Sequence, residues 1–220
     1  MCGRFTLRTT AGEVAEVFGL LDAFDLSARY NVAPSQSVLA IRLNADHKRE
    51  PAFLKWGLIP SWAKKPSIGY KMINARSETV AEKPAFRSAF KRSRCLIVAD
   101  GFYEWKKVGQ AKQPFYIRLK HDRPFAFAGL AEHWQHDDKT IDSCTIITTG
   151  PNELMAGIHD RMPVILAPHD YNLWLDAEFK GQEKLQSLLR SYPADQMTAY
   201  AVSTIVNNPR NDMAECVVEV

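Results

Sequence analysis

After a single amphipathic helix, the chain of 220 residues becomes a succession of short runs rich in β-branched and aromatic residues. The runs are VLAIRL, AFLKW, CLIVAD, PFYIRLK, FAFAGL, CTIITT, PVIL, AYAVS and ECVVEV, separated by Gly, Pro, Asn and Asp. Such residues suit a pleated, half-buried surface, and the turn formers between them let neighbouring strands reverse direction. The preceding helix opens with the capping-box pair Thr10 and Glu13. Val14, Val17, Phe18 and Leu21 then share one face, which predicts a helix over roughly 11–22. Helical patterns return near 84–92, 152–158, 168–176 and 182–190, where Pro84 and Pro168 suit first-turn positions. The predicted class is α+β, a mostly antiparallel, curved or barrel-like β-sheet with several short helices. At 46% hydrophobic the chain can bury a sizeable core, and with no repeat or Gly/Ser-rich linker residues 1–220 are expected to form a single domain.

No run approaches the ~18 apolar residues of a membrane span, and the start lacks the basic-then-apolar pattern of a secretory signal. A cytoplasmic protein without membrane contact is expected. Cys2, Cys95, Cys144 and Cys216 lie far apart with no C-x-x-C pair, which argues against a zinc site and a disulfide framework. Cys95, Cys144 and Cys216 sit in apolar runs and read as core; Cys2 does not share that context. His133 and His136 have a spacing that hints at a metal helix, but HWQHDD reads as a loop, so no metal or cofactor is predicted. The net charge of +3 is uneven: from Lys64 to Lys112 twelve Lys or Arg face Glu78, Glu82, Asp100 and Glu104, an excess of eight. Trp62, Tyr70, Phe86, Phe90, Phe102, Tyr103 and Trp105 share this segment. Cations interleaved with rings suit single-stranded nucleic acid, and a plain solvated basic face is the other reading.

Four places could carry chemistry. Cys2 follows Met1, and a small second residue permits removal of Met1, leaving an α-amine and a thiol on one residue. That pair can condense with an aldehyde to an imine and close a thiazolidine ring; an internal cysteine, whose nitrogen is an amide, cannot. In YKMINARSET, Asn74 can donate and accept hydrogen bonds, and Arg76, two residues on, points to the same face of an extended chain and can grip a phosphate. In ADGFYEWKK, Glu104 lies between Tyr103 and Trp105, where poor solvation would raise its pKa toward neutrality. In AGIHDRMPVIL, His159 suits proton shuttling and Arg161 offers a further anion contact.

Jointly, MCGRF, RYNVAPSQ, WGLIPSW, INARSET, ADGFYEWK, FAFAGLAE, CTIITT and IHDRMPVIL resemble the blocks of the SRAP family, the SOS response-associated peptidases, over nearly the whole chain. The resemblance implies the SRAP fold, a catalytic set of Cys2, Asn74, Glu104 and His159, and shielding of abasic sites through a covalent thiazolidine link. It implies that His159 helps the sugar ring open, that Glu104 deprotonates the Cys2 amine, and that Asn74 holds the sugar or the amine. DNA contacts are expected at Arg4, Arg76 and Arg161 for phosphates and at Trp62 and Trp105 for stacking, with Pro34 and Thr148 carried over from the family groove. Reference pKa values near 8 and 8.5 predict an amine and a thiol both partly deprotonated near pH 7. The expected partner is single-stranded DNA containing abasic sites, with replication-fork proteins further candidates. The protein is expected to be a monomer, nucleoid-associated when on DNA, with self-cleaving peptidase and lyase side activities. An N-terminal-nucleophile cysteine peptidase and a non-catalytic reader of single-stranded DNA stay open beside this. The stretches 42–50 and 106–113 carry no functional signal.

Overall fold

The computed structural model describes residues 2–21 and 24–220. Its strands are β1 (Phe5–Leu7), β2 (Arg29–Val32), β3 (Ser37–Leu43), β4 (Arg49–Trp56), β5 (Asn74–Arg76), β6 (Arg94–Ala99), β7 (Gly101–Val108), β8 (Ala111–Leu119), β9 (Phe125–His136), β10 (Lys139–Thr149), β11 (Met162–Pro163), β12 (Ile165–Leu166) and β13 (Met197–Ala201). Its α-helices are α1 (Ala11–Phe18), α2 (Arg87–Arg92), α3 (Glu153–Ala156), α4 (Tyr171–Leu175) and α5 (Gln182–Ser187).

One sheet closes on itself. β10 pairs with β4, β4 with β3, β3 with β6, β6 with β9, and β9 returns to β10. All these pairings are antiparallel except β10 with β4, and β5 also joins β10 in parallel. The second sheet runs β13-β8-β7-β1-β2. The α+β class with a barrel-like, mostly antiparallel sheet and short helices therefore holds.

The closed sheet is buried on both faces, which explains why its strands read as continuous apolar runs rather than alternations. Along β3, Leu39 and Ile41 face the helices while Val38 and Ala40 face the second sheet; β6 repeats this with Leu96 and Val98 against Cys95 and Ile97. The helical layer adds Val14, Phe18, Phe90, Trp174 and Leu185 to one core. Phe5, Phe102, Ile117 and Leu119 of the second sheet fill the other. Each such side chain contributes roughly 1.5–3 kcal/mol on full burial. Buried indoles find partners, as they must: Trp174 Nε1 donates to the Cys95 carbonyl (2.9 Å) and Trp134 Nε1 to that of Ala63 (2.7 Å).

Several expectations need correction. α1 stops at Phe18 because Gly19 turns left-handed (φ 64°) and its amide caps Ala15; of the predicted extension to 22, Asp22 lies outside the described residues. The helix expected from Pro84 begins only at Arg87, after a run of turns. ECVVEV is not a strand: Ala214–Val217 form a 3-10 turn that buries Cys216, and only Glu219 bridges to Val202. HWQHDD is not a loop, since β9 continues through His136; Trp134 is buried, His133 is exposed on the other face, and His136 is exposed while stacking on the Trp134 ring. Cys2 shares the context of the other cysteines after all: all four are free and buried. Nor is the basic segment one surface. Arg94 is buried and donates to the carbonyls of Trp174, Phe90, Lys91 and Asp176, tying β6 to α2 and α4. No helix among the described residues is long and apolar enough to cross a membrane.

Candidate active site

Four segments distant in sequence supply the expected catalytic residues. Residue 2 leads into β1, which is held between β2 and β7. The β1 side is anchored by Asp100, whose buried carboxylate accepts from the Thr6 and Thr9 hydroxyls (2.5 and 2.9 Å) and from the Arg8 and Thr9 amides. Gly101 allows the close approach there, since a Cβ at that position would lie 2.0 Å from the Tyr116 hydroxyl. Asn74 opens β5, and Trp56 Nε1 donates to the carbonyl of the preceding Ile73 (2.9 Å). Glu104 lies on β7 opposite Phe115 of β8. His159 follows α3, whose N-cap Asn152 accepts from the Met155 amide; the His159 amide in turn donates to the Met155 carbonyl (2.8 Å).

These placements bring the four expected catalytic residues together. Asn74 Nδ2 donates to the Cys2 carbonyl at 2.8 Å, fixing the backbone of residue 2. His159 Nε2 stands 3.8 Å from Glu104 Oε2. The other imidazole nitrogen, Nδ1, accepts from the Arg161 amide (3.0 Å), which leaves Nε2 facing Glu104. The Asp160 carboxylate also approaches Nδ1 (2.9 Å), and its charge raises the His159 pKa against the effect of burial. Burial lowers the His159 pKa from its ordinary value, and the Lys112 charge acts in the same direction. Glu104 is 2% exposed, and burial pushes its carboxyl up to about 7. The rise matches the expected direction, but its cause is not the neighbouring rings: on β7, Tyr103 and Trp105 project to the opposite face and pack with Tyr116. The Cys2 thiol departs from expectation: complete burial, with the Glu104 charge beside it, raises its pKa well above the ordinary value, so near pH 7 it is a thiol rather than a thiolate.

Glu104 and His159 line an open cleft of about 690 Å³ together with Arg4, Trp105, Lys107, Lys112, Ile158 and Asn207. Arg4 stacks over the Trp105 ring (5.8 Å to its centroid), and Trp105 Nε1 donates to Asn207 Oδ1 (2.7 Å). The cleft wall around Asn207 is built by Asn31, which is fully buried. Its Oδ1 accepts from Arg4 Nη1 (2.7 Å), and its Nδ2 donates to the carbonyls of Val206, Asn208 and Asn211.

The expected DNA contacts divide. Arg4 and Trp105 line the cleft; Pro34, Trp62, Arg76, Thr148 and Arg161 do not. Pro34 occupies a turn completed by Ser35 at φ 73°, with the Gln36 amide donating to the Ala33 carbonyl (3.3 Å). Trp62 is 60% exposed on the loop after β4. Arg76 is exposed on β5, opposite Thr148 of β10. Thr148 has no exposed surface; its hydroxyl donates to the Ala75 carbonyl and its own carbonyl accepts from Arg161 Nη2 (2.6 Å). Arg161 is gripped by both carboxylate oxygens of Glu78 (2.5 and 2.9 Å), which lowers the Glu78 pKa. Lys107, Lys112, Asn207 and Asn31 were missed by sequence reasoning. The opposed lysines flanking Gly109 were the available signal.

The sequence profile of the SOS response associated peptidase (SRAP) family matches residues 1–209. The chain is 50% identical over 220 residues to the abasic site processing protein YoaM of Bacillus subtilis (strain 168), covering 98% of this chain and 96% of that one. It is 32% identical over 225 residues to the abasic site processing protein YedK of Escherichia coli (strain K12), covering 99% of each. Among solved structures, a protein from Bacteroides thetaiotaomicron matches with a TM-score of 0.90 at 27% identity, with 100% of both chains covered.

Proposed function

The chain belongs to the SOS response associated peptidase (SRAP) family, and from that premise we propose that it processes abasic sites in DNA by linking the opened sugar covalently to Cys2. The observation that carries the proposal is the 2.8 Å bond from Asn74 to the Cys2 carbonyl, which fixes residue 2 in the setting of a buried carboxyl that titrates near neutrality.

With Met1 removed, Cys2 offers a free amine. The amine adds to C1′ of the open-chain aldehyde, a water molecule leaves, and an imine forms. The thiol then adds to the imine carbon, its proton passes to the nitrogen, and the thiazolidine closes. Glu104, with a pKa of about 7, is suited to take a proton from the ammonium and return one to the departing hydroxyl. His159 presents Nε2–H for donation to the ring oxygen as the sugar opens. Because burial keeps the thiol protonated, the amine attacks first and the sulfur follows. The same imine permits β-elimination, so slow strand scission is a side reaction, and Glu104 would also serve self-cleavage where residues precede Cys2. The substrate is a single strand, because a missing base leaves no edge to read and the cleft offers cations and the Trp105 ring.

The test is incubation with abasic single-stranded DNA, followed by denaturing electrophoresis and mass determination of the DNA-linked peptide. A detergent-stable product on the N-terminal cysteine is expected. Cys2→Ala is expected to bind DNA without forming it, and Cys2→Ser to retain an imine that borohydride traps. Reversible binding alone in the wild type would make the protein a non-catalytic reader, and cleavage of a peptide library with no DNA product would make it a peptidase.

A further inference from the structure

We propose that Lys107 and Lys112 form a binding site for one phosphodiester of the DNA strand whose sugar lies at Glu104 and His159. The inference rests on the function proposed above and adds to it a place for the backbone beside the lesion.

β7 and β8 are joined by a tight turn with Gly109 at φ 60°, in which Val108 faces Ala111 and Lys107 faces Lys112. Residues directly opposite in an antiparallel pair project from the same face, with Cβ atoms roughly 5 Å apart, and like charges so placed are destabilising. Both lysines are exposed, and neither forms an ion pair among the described residues. The repulsion is thus not relieved within the molecule. Both side chains border the cleft that holds Glu104 and His159, with Arg4 and Trp105 beside them. Two ammonium groups on adjacent strands, with a third cation and a ring nearby, match a phosphate and its neighbouring base. A phosphate there removes the repulsion that the hairpin otherwise retains. Of the other arginines expected at phosphates, Arg161 is held by Glu78, and Arg76, though exposed, lies outside this cleft.

The experiment uses a single strand bearing a tetrahydrofuran in place of the abasic sugar, which has no aldehyde and reports binding alone. Anisotropy titrations over a salt series compare the wild type with the Lys107→Gln/Lys112→Gln double variant. Loss of one phosphate contact reduces the slope of log affinity against log salt by about 0.7, with an affinity loss of roughly tenfold at low salt. Capture of free 2-deoxyribose at Cys2, followed by mass, is expected to be equal in the wild type and a Lys107→Gln single variant, because that sugar has no phosphate and Lys112, whose charge acts on His159, is kept. A Lys180→Gln/Lys184→Gln control of equal charge change is expected to keep the wild-type slope. An unchanged slope in the Lys107/Lys112 variant overturns the site while leaving the proposed chemistry standing. Slower capture of the free sugar in the Lys107→Gln variant also overturns it, because Lys107 would then act on the chemistry or the fold. Absence of sugar capture in the wild type sinks the proposed function instead, and the salt slope still decides the phosphate site.

Discussion

Replacing Glu104 by Gln is expected to stabilise the protein at high pH while slowing its chemistry. The carboxyl is raised from 4.5 to about 7, chiefly by burial. Below 4.5 it is protonated whether folded or unfolded, and the native state bears no penalty. As pH rises, the unfolded chain gives up its proton first and the folded one holds it. Stability therefore falls by about 1.4 kcal/mol per pH unit across that window. Above 7 the cost levels off at about 3 kcal/mol, the free energy of keeping a buried carboxylate. Gln retains the shape without the charge, so the variant's advantage is absent near pH 4, grows through pH 6 and levels off by pH 8. Urea titrations of both proteins across that range measure the difference; titrations of groups remote from residue 104 cancel, while His159, 3.8 Å away, remains coupled to the change. In the same series the wild-type rate of DNA linkage is expected to rise through pH 7 and the variant to lack that limb. A gap that does not change with pH, or a variant less stable at pH 8, would refute the assignment of Glu104 as a desolvated acid–base group.

Gly101→Ala is expected to cost about 3 kcal/mol or more, because its Cβ would overlap the buried Tyr116 ring and force β1 from β7; a urea midpoint equal to wild type would contradict this. Glu78→Gln leaves Arg161 without its carboxylate partner, so single-stranded DNA is expected to bind several-fold tighter at low salt with a steeper salt slope. Unchanged binding would place Arg161 off the DNA path.

The strand segments were legible because their residues suit pleated surfaces and their turns are marked by Gly, Pro and Asn. Glu104 was legible as a carboxyl in an apolar strand-like run, but tertiary burial perturbs it, since the rings beside it in sequence pack on the other face of β7. What escaped were features set by distant partners. ECVVEV has strand composition, yet only Cys216 finds a cavity to fill, and the backbone curls to place it. Nothing near Arg94 in sequence announces the carbonyls that receive its guanidinium, because two of them come from Trp174 and Asp176. The Cys2 thiol was misjudged for the same reason: its ionisation depends on a neighbour on β7 and on closure of the core above it. Asn74 could be named as a hydrogen-bonding group, but its bond to Cys2 spans 72 residues and exists only once β5 has joined β10.

The closed circuit of β3, β4, β6, β9 and β10 has a mechanical corollary. A strand at the margin of an open sheet can peel away alone, whereas one in a circuit must part from two neighbours together. Cys2 shares a buried cluster with Trp56, Cys144 and Ile146 of that circuit, and Asn74 splices its backbone to β10 through β5. Were DNA linked at Cys2 as proposed, a pull would load β1 of the open sheet first and reach the circuit through the Asn74 bond and this buried cluster.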